Sequence, residues 1–184
     1  VAVYEPRGVG ESVALYRVSP GNSAAILGAA VLAAPNRLRR GSPPAMIATA
    51  HGVSLGAVDG AAHVYFASAD NRGAVTPWKS IGVAADLRFA PALWEVGGDV
   101  LVAWTESFQG ANRVWVTPVH GDVVRPAMNV MPGGLGGATP VFLPGTDGAA
   151  TLTFMDPREG ISPIVRVPFG KDGAPGEGQV LRPV

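Results

Sequence analysis

Four acidic residues each end a short apolar run: Glu5 in VAVYE, Asp59 in VSLGAVD, Glu106 in VLVAWTE and Asp156 in TLTFMD. Side chains of this type could do two kinds of work. Carboxylates held at a fixed separation are the apparatus of glycoside hydrolysis, and arginines grip anionic groups through two parallel hydrogen bonds. Alternatively, each acid closes its own hairpin by accepting backbone N–H bonds or by pairing with a nearby Arg. Two of the acids are followed by Pro-Arg, in YEPRG at 4–8 and MDPREG at 155–160, which adds Arg7 and Arg158. Arg37, Arg39, Arg40 and Arg88 stand in other connections. Recurrence in every unit favours the hairpin-closing role, because a binding site usually breaks symmetry. The functional reading of the same ten residues is a mixed-charge rim that meets a polar ligand.

Other chemistry has less support. His51, His63 and His120 are scattered over an expected turn, a strand and another turn, which does not give the convergent ligands that zinc requires. No metal site and no cofactor are expected. GGLGG at 133–137 lacks the Lys and the helix of a phosphate loop. NRLRR at 36–40 is too short a basic stretch to argue for nucleic acid. Tyr4, Tyr16 and Tyr65 read as strand residues, and no position matches a catalytic motif.

The elements that must carry these residues follow from composition and period. The 184 residues are 47% apolar and only 15% charged, with 14 basic and 14 acidic side chains, so a real core forms and no net field draws the chain to nucleic acid or an anionic membrane. Twenty-five glycines and 17 prolines suit many short strands and turns. The absence of cysteine excludes a disulfide framework, a thiolate metal site and a Cys nucleophile. The longest apolar run, AAILGAAVLAA at 24–34, is about half the length of a membrane helix, so no span is expected. It also lies too far in, behind Glu5 and Glu11, to be the core of a signal peptide.

A repeat of about 50 residues organises the chain. SPPAMIAT, FAPALWEV and ATPVFLPG each place a Pro before an apolar strand, at Pro44, Pro91 and Pro140. The acid-ending runs come next. VALYRVS, AHVYFAS, NRVWVTP and SPIVRVP then supply third strands, followed by turns (PGNS, ADNRG, HGD, GKDG) and weaker fourth strands such as WKSIGV and AMNVMP. Four strands per period without an amphipathic helix predict an all-β protein built of β-propeller blades, each of four antiparallel strands. A β-sandwich is the rival, but it gives no reason for the strand sequence to repeat. The boundaries are 1–36, 37–85, 86–134 and 135–184. The first unit opens directly on its second strand, so the expectation is a processed product or fragment of a larger ring, about three and a half to four blades long. Preceding residues or another protein chain would complete it, and an isolated chain is expected to associate with a partner chain or with itself. Trp94, Trp104 and Trp115 crowd into the third unit, where they are expected to pack between neighbouring sheets.

The turn SADNRGAVTPW resembles the Asp-box of sialidase-like propellers, with Ser68, Asp70, Gly73 and Trp78 matching in order and a longer gap before the Trp. FGKDGAPGE keeps only Asp172 and Gly173. In that family the box is structural, so the resemblance implies a stabilised hairpin. With the Lys-poor, Ala-, Gly- and Pro-rich composition, it also implies an exported bacterial protein, extracellular or periplasmic. The expected function is a non-catalytic scaffold or recognition module that binds a protein or glycan partner. The alternative is part of a sialidase-like glycoside hydrolase whose site is completed elsewhere.

Overall fold

A computed structural model describes residues 44–72, 74–131, 136–156 and 163–181, and the backbone of three further strands within 2–33. The described residues are all β, with no helix. Sheet I comprises β1 (Ala2–Arg7), β2 (Gly10–Leu15) and β3 (Leu32–Ala33). Sheet II runs through β4 (Ala45–Thr49), β5 (Gly52–Val58), β6 (Val64–Asp70) and β7 (Lys79–Gly82). Sheet III holds β8 (Ala92–Val96), β9 (Asp99–Phe108), β10 (Ala111–His120), β11 (Val123–Val124) and β12 (Met128–Asn129). Sheet IV holds β13 (Ala138–Pro144), β14 (Ala150–Met155), β15 (Ile164–Phe169) and β16 (Gln179–Leu181). Sheets I, II and IV are antiparallel meanders in which sequence neighbours are spatial neighbours, and sheet III follows the same order through β8, β9, β10 and β11.

Sheet III departs from the expected pattern at its outer edge. In place of one fourth strand, β11 and β12 each pair separately with β10. Between them, Arg125 donates its N–H to the Pro118 carbonyl and its own carbonyl accepts from Thr117 Oγ1. Pro126 cannot donate to a ladder, so the edge strand breaks there.

Sheets II, III and IV stack in order, with a core between each pair. Strand β9 shows how. Its side chains alternate, so Val100, Val102 and Trp104 enter the core against sheet II while Leu101 and Ala103 enter the core against sheet IV. Leu93, Val58, Val64, Phe66 and Ile81 complete the first core. Val114, Val116, Phe142, Leu152, Phe154, Val165, Val167 and Phe169 fill the second. A strand buried on both faces reads as a continuous apolar run, and VLVAW is one. The three tryptophans divide between the cores: Trp104 and Trp115 belong to the first and Trp94 packs against the second.

Gly82 is dictated by this packing. A Cβ there would lie 2.6 Å from the Trp104 ring, so the glycine lets the last strand of sheet II, β7, lie against the indole. Gly97 serves the second interface. Its backbone has φ +56°, and a Cβ would approach the Lys171 carbonyl oxygen to 2.3 Å, so only glycine lets the β8–β9 turn meet the β15–β16 turn.

Gly82→Ala is expected to lower stability by about 1–3 kcal/mol through overpacking against Trp104. Leu101→Ala should cost about 2–5 kcal/mol as a fully buried truncation. Denaturant titrations of both variants at constant m value check the two figures.

Candidate functional site

The β5–β6 and β9–β10 turns lie at the same end of the stack as the connection from β7 to β8, and residues 84–86 of that connection lace them together. Ala85 donates to the Ala62 carbonyl, Asp86 to Thr105 O at 2.7 Å, and Ser107 returns a bond to Ala84 O. Ala85 also forms an isolated antiparallel bridge with Glu106. Ala62 and Ala84 both hold left-handed backbone, φ +67° and +57°, a conformation that costs an alanine of order 1–2 kcal/mol. Three expected rim residues, Asp59, Glu106 and Arg88, are thus gathered at one corner.

Asp59 is fully buried and serves its own hairpin. Its Oδ1 accepts from the backbone N–H of Ala61 at 2.9 Å and of His63 at 2.8 Å, and Oδ2 accepts from Tyr65 Oη at 3.2 Å and lies 3.1 Å from His63 Nδ1. His63 stands just before β6 rather than within it, which lets its ring reach this carboxylate. Glu106 accepts from Trp115 Nε1 at 2.8 Å on the paired strand, with Arg113 Nη1 at 3.9 Å. Both acids therefore find these partners within their own sheets. Asp156 is also fully buried, and its N–H closes the β14–β15 turn onto the Pro163 carbonyl.

Arg88 differs. Its side chain is 68% exposed, yet it is fixed from below by Asp86, whose carboxylate is 5% exposed. Asp86 accepts from Arg88 N at 3.0 Å, Nε at 3.0 Å and Nη2 at 2.6 Å. Hydrogen bonding to Asp86 and then its Coulomb attraction raise the guanidinium pKa further, so the charge is constant with pH. The guanidinium carbon also sits 5.3 Å from the centre of the Phe89 ring. Asp86 lies outside the recurring acids, and its one local signal in the sequence is the short D-x-R spacing to Arg88.

Glu5 and Arg7 lie on β1, where only the backbone is described. Arg37, Arg39, Arg40, Arg158 and Gly73 fall outside the described residues. Among the described residues, no group of three or more His, Cys, Asp or Glu side chains is placed to hold a metal ion, and no helix is long and apolar enough to cross a membrane.

The opposite end of the stack carries the box-like turn. Asp70 Oδ1 accepts from the N–H groups of Arg72 and Ala74, both at 2.8 Å, and Ser68 N donates to Thr76 Oγ1 at 2.8 Å. Trp78 Nε1 is buried without a hydrogen-bond partner among the described residues. The β15–β16 turn has the same backbone geometry, with bonds Gly170 N to Ala174 O and Gly176 N to Pro168 O matching Asp70 N to Ala74 O and Thr76 N to Ser68 O. In this register Gly170 occupies the place of Asp70, and Asp172 that of Arg72. The acid has moved two residues along the turn and caps Ala174 N–H at 3.1 Å.

That end also carries a cluster with no local sequence signature. Asp99, 8% exposed, accepts from Arg125 Nη1 at 3.1 Å, with His120 Nδ1 at 2.7 Å. Strand pairing brings these residues together across a sequence separation that no local motif reveals. Two further contacts tie neighbouring sheets: Glu95 accepts from Ala50 N at 3.0 Å, and Lys79 donates to the Asp122 carboxylate at 2.9 Å.

No family model matches the chain, and no curated protein is found to match it.

Asp59→Ala should destabilise the fold by about 2–4 kcal/mol, since it strands buried donors. Asp70→Ala, at an exposed turn, should cost about 1–2 kcal/mol. Paired thermal melts give the ranking, which reverses if Asp59 is not an internal cap.

Proposed function

We propose that the chain is a non-catalytic segment of a β-propeller, acting as a scaffold or recognition module at the end formed by the β5–β6 and β9–β10 turns and the β7–β8 connection. The reading of the stack as propeller blades is supported by three successive antiparallel sheets with a core between each neighbouring pair. The likeness of the 68–78 turn to the Asp-box supports it as well. The single observation that carries the non-catalytic reading is the state of Asp59. It is the best-defined member of the recurring acids, and its carboxylate receives two backbone N–H groups and a tyrosine hydroxyl of its own hairpin. An acid so engaged and wholly buried is poorly suited to attack a bond or transfer a proton to an external substrate.

Arg88 is the residue best suited to meet a partner, because its orientation is fixed before binding and little side-chain entropy is lost on contact. The preferred ligand class is an anionic group on a glycan or an acidic protein loop. Export to the periplasm or the extracellular medium remains part of the proposal on composition and turn likeness.

The test pairs turnover with binding. Fluorogenic sialosides and other aryl glycosides should be released no faster than in a heat-denatured control. On an array of sialylated and neutral glycans, and against acidic peptides, assayed well below the melting temperature of the variant, Arg88→Ala should weaken retention at least tenfold; that melting temperature falls, because the buried Asp86 carboxylate loses the guanidinium bonds. Saturable hydrolysis that Glu106→Gln abolishes would overturn the proposal.

A further inference from the structure

The outer face of sheet IV is open, and it is apolar. Val141 and Leu143 on β13, Met155 on β14, Ile164 on β15 and Leu181 on β16 remain 41–47% exposed. Strand register identifies what these positions do elsewhere. Ile164 pairs with Met155, the residue before the hairpin acid, as Val64 pairs with Val58 in sheet II and Val114 with Thr105 in sheet III. Val64, Val114 and Ile164 are spaced by 50 residues each time. Val58, Val64, Thr105 and Val114 are at most 2% exposed, because each preceding sheet is covered on this side by the next. The chain therefore builds the same covered face a third time and leaves it uncovered among the described residues.

We propose that this face is a self-association surface, covered by the same face of a second copy of the chain. The inference rests on the reading of the sheets as repeated blades. The chemistry of the patch selects an apolar sheet as its occupant. Among the described residues Arg166 is its one charge, and Thr153 directs its hydroxyl to the Val141 carbonyl at 3.2 Å, which leaves a methyl-rich surface. A two-fold pairing is favoured over a head-to-tail one. The far side of sheet II is already closed, with Leu55, Ala57, Tyr65 and Ala67 at 0–6% exposure, so it offers no complementary open face. The five apolar side chains expose on the order of 400 Å² per copy, near the largest patch a monomer carries. With its threonine border, the paired face reaches the low end of a specific interface, about 1,200 Å² in total. The association is consequently concentration-dependent.

Light scattering of the purified chain over about a hundredfold range of concentration, up to about 200 µM, should show mass rising from one copy to two. Ile164→Asp and Leu143→Asp replace exposed side chains and should weaken association at least tenfold while near-UV circular dichroism is kept. A thiol supplies an independent measurement, because the native chain has no cysteine. Labelling of Arg166→Cys by a maleimide should slow as concentration rises. A chain that stays monomeric throughout, a dimer indifferent to both aspartates, or labelling independent of concentration overturns the interface. A monomer would leave the propeller reading intact; a crystal structure whose stacked sheets do not fan about an axis would end that reading whatever the oligomeric state.

Discussion

The structure depends on sheets that are apolar on both faces. Strand β9 carries the constraint in its simplest form: successive residues from Val100 to Trp104 point alternately into two different cores. A half-buried sheet can tolerate polar residues at every second position, but here either side chain of a neighbouring pair meets another sheet. Such strands cannot be stable alone, since half of their apolar surface is buried only when both neighbours are in place. Stability is therefore shared between units, and a loss at one interface is felt by the sheets on either side.

Close stacking limits the chain at its ends as well. At the turns, backbone N–H groups leave the strand ladders, and carboxylates accept from several of them. Asp59 and Asp70 close hairpins within sheet II, while Glu95 reaches from sheet III to the Ala50 N–H of sheet II. Buried or half-buried carboxylates that receive backbone N–H groups contribute more than exposed ion pairs such as Lys79–Asp122, which are worth only about 0–1 kcal/mol. Of the acids that first suggest catalysis, Asp59 turns the corner of its own hairpin, while Glu106 holds Trp115 across the paired strand. Arg88 stands apart because Asp86 takes on the buried role beneath it and leaves the cation at the surface.

Much of this order is written in the chain. The apolar runs and the 50-residue period locate the first three strands of each of sheets II, III and IV, and the acid at the end of each second strand marks the hairpins. The divided edge of sheet III was not legible, because β11 and β12 are two residues each and give no periodic signal. Nor was the displaced acid in the last turn. Asp172 followed by Gly173 looks like the remnant of the Asp70 arrangement, whereas backbone bonds place it opposite Arg72. Local sequence fixes a turn's residues but not which backbone N–H each carboxylate reaches.

By itself the sequence determined the class of structure, the strands, their meander order and the candidate acids, because alternation and short-range turn chemistry are local properties. Tertiary structure alone decided which face of each strand enters which core, and why Gly82 must yield to Trp104. It also joined Asp99 to His120 and Arg125, and set Asp86 beneath Arg88 within a corner shared by two sheets. Those outcomes depend on contacts between residues far apart in the chain or on the burial of a neighbour, quantities that no window of sequence contains.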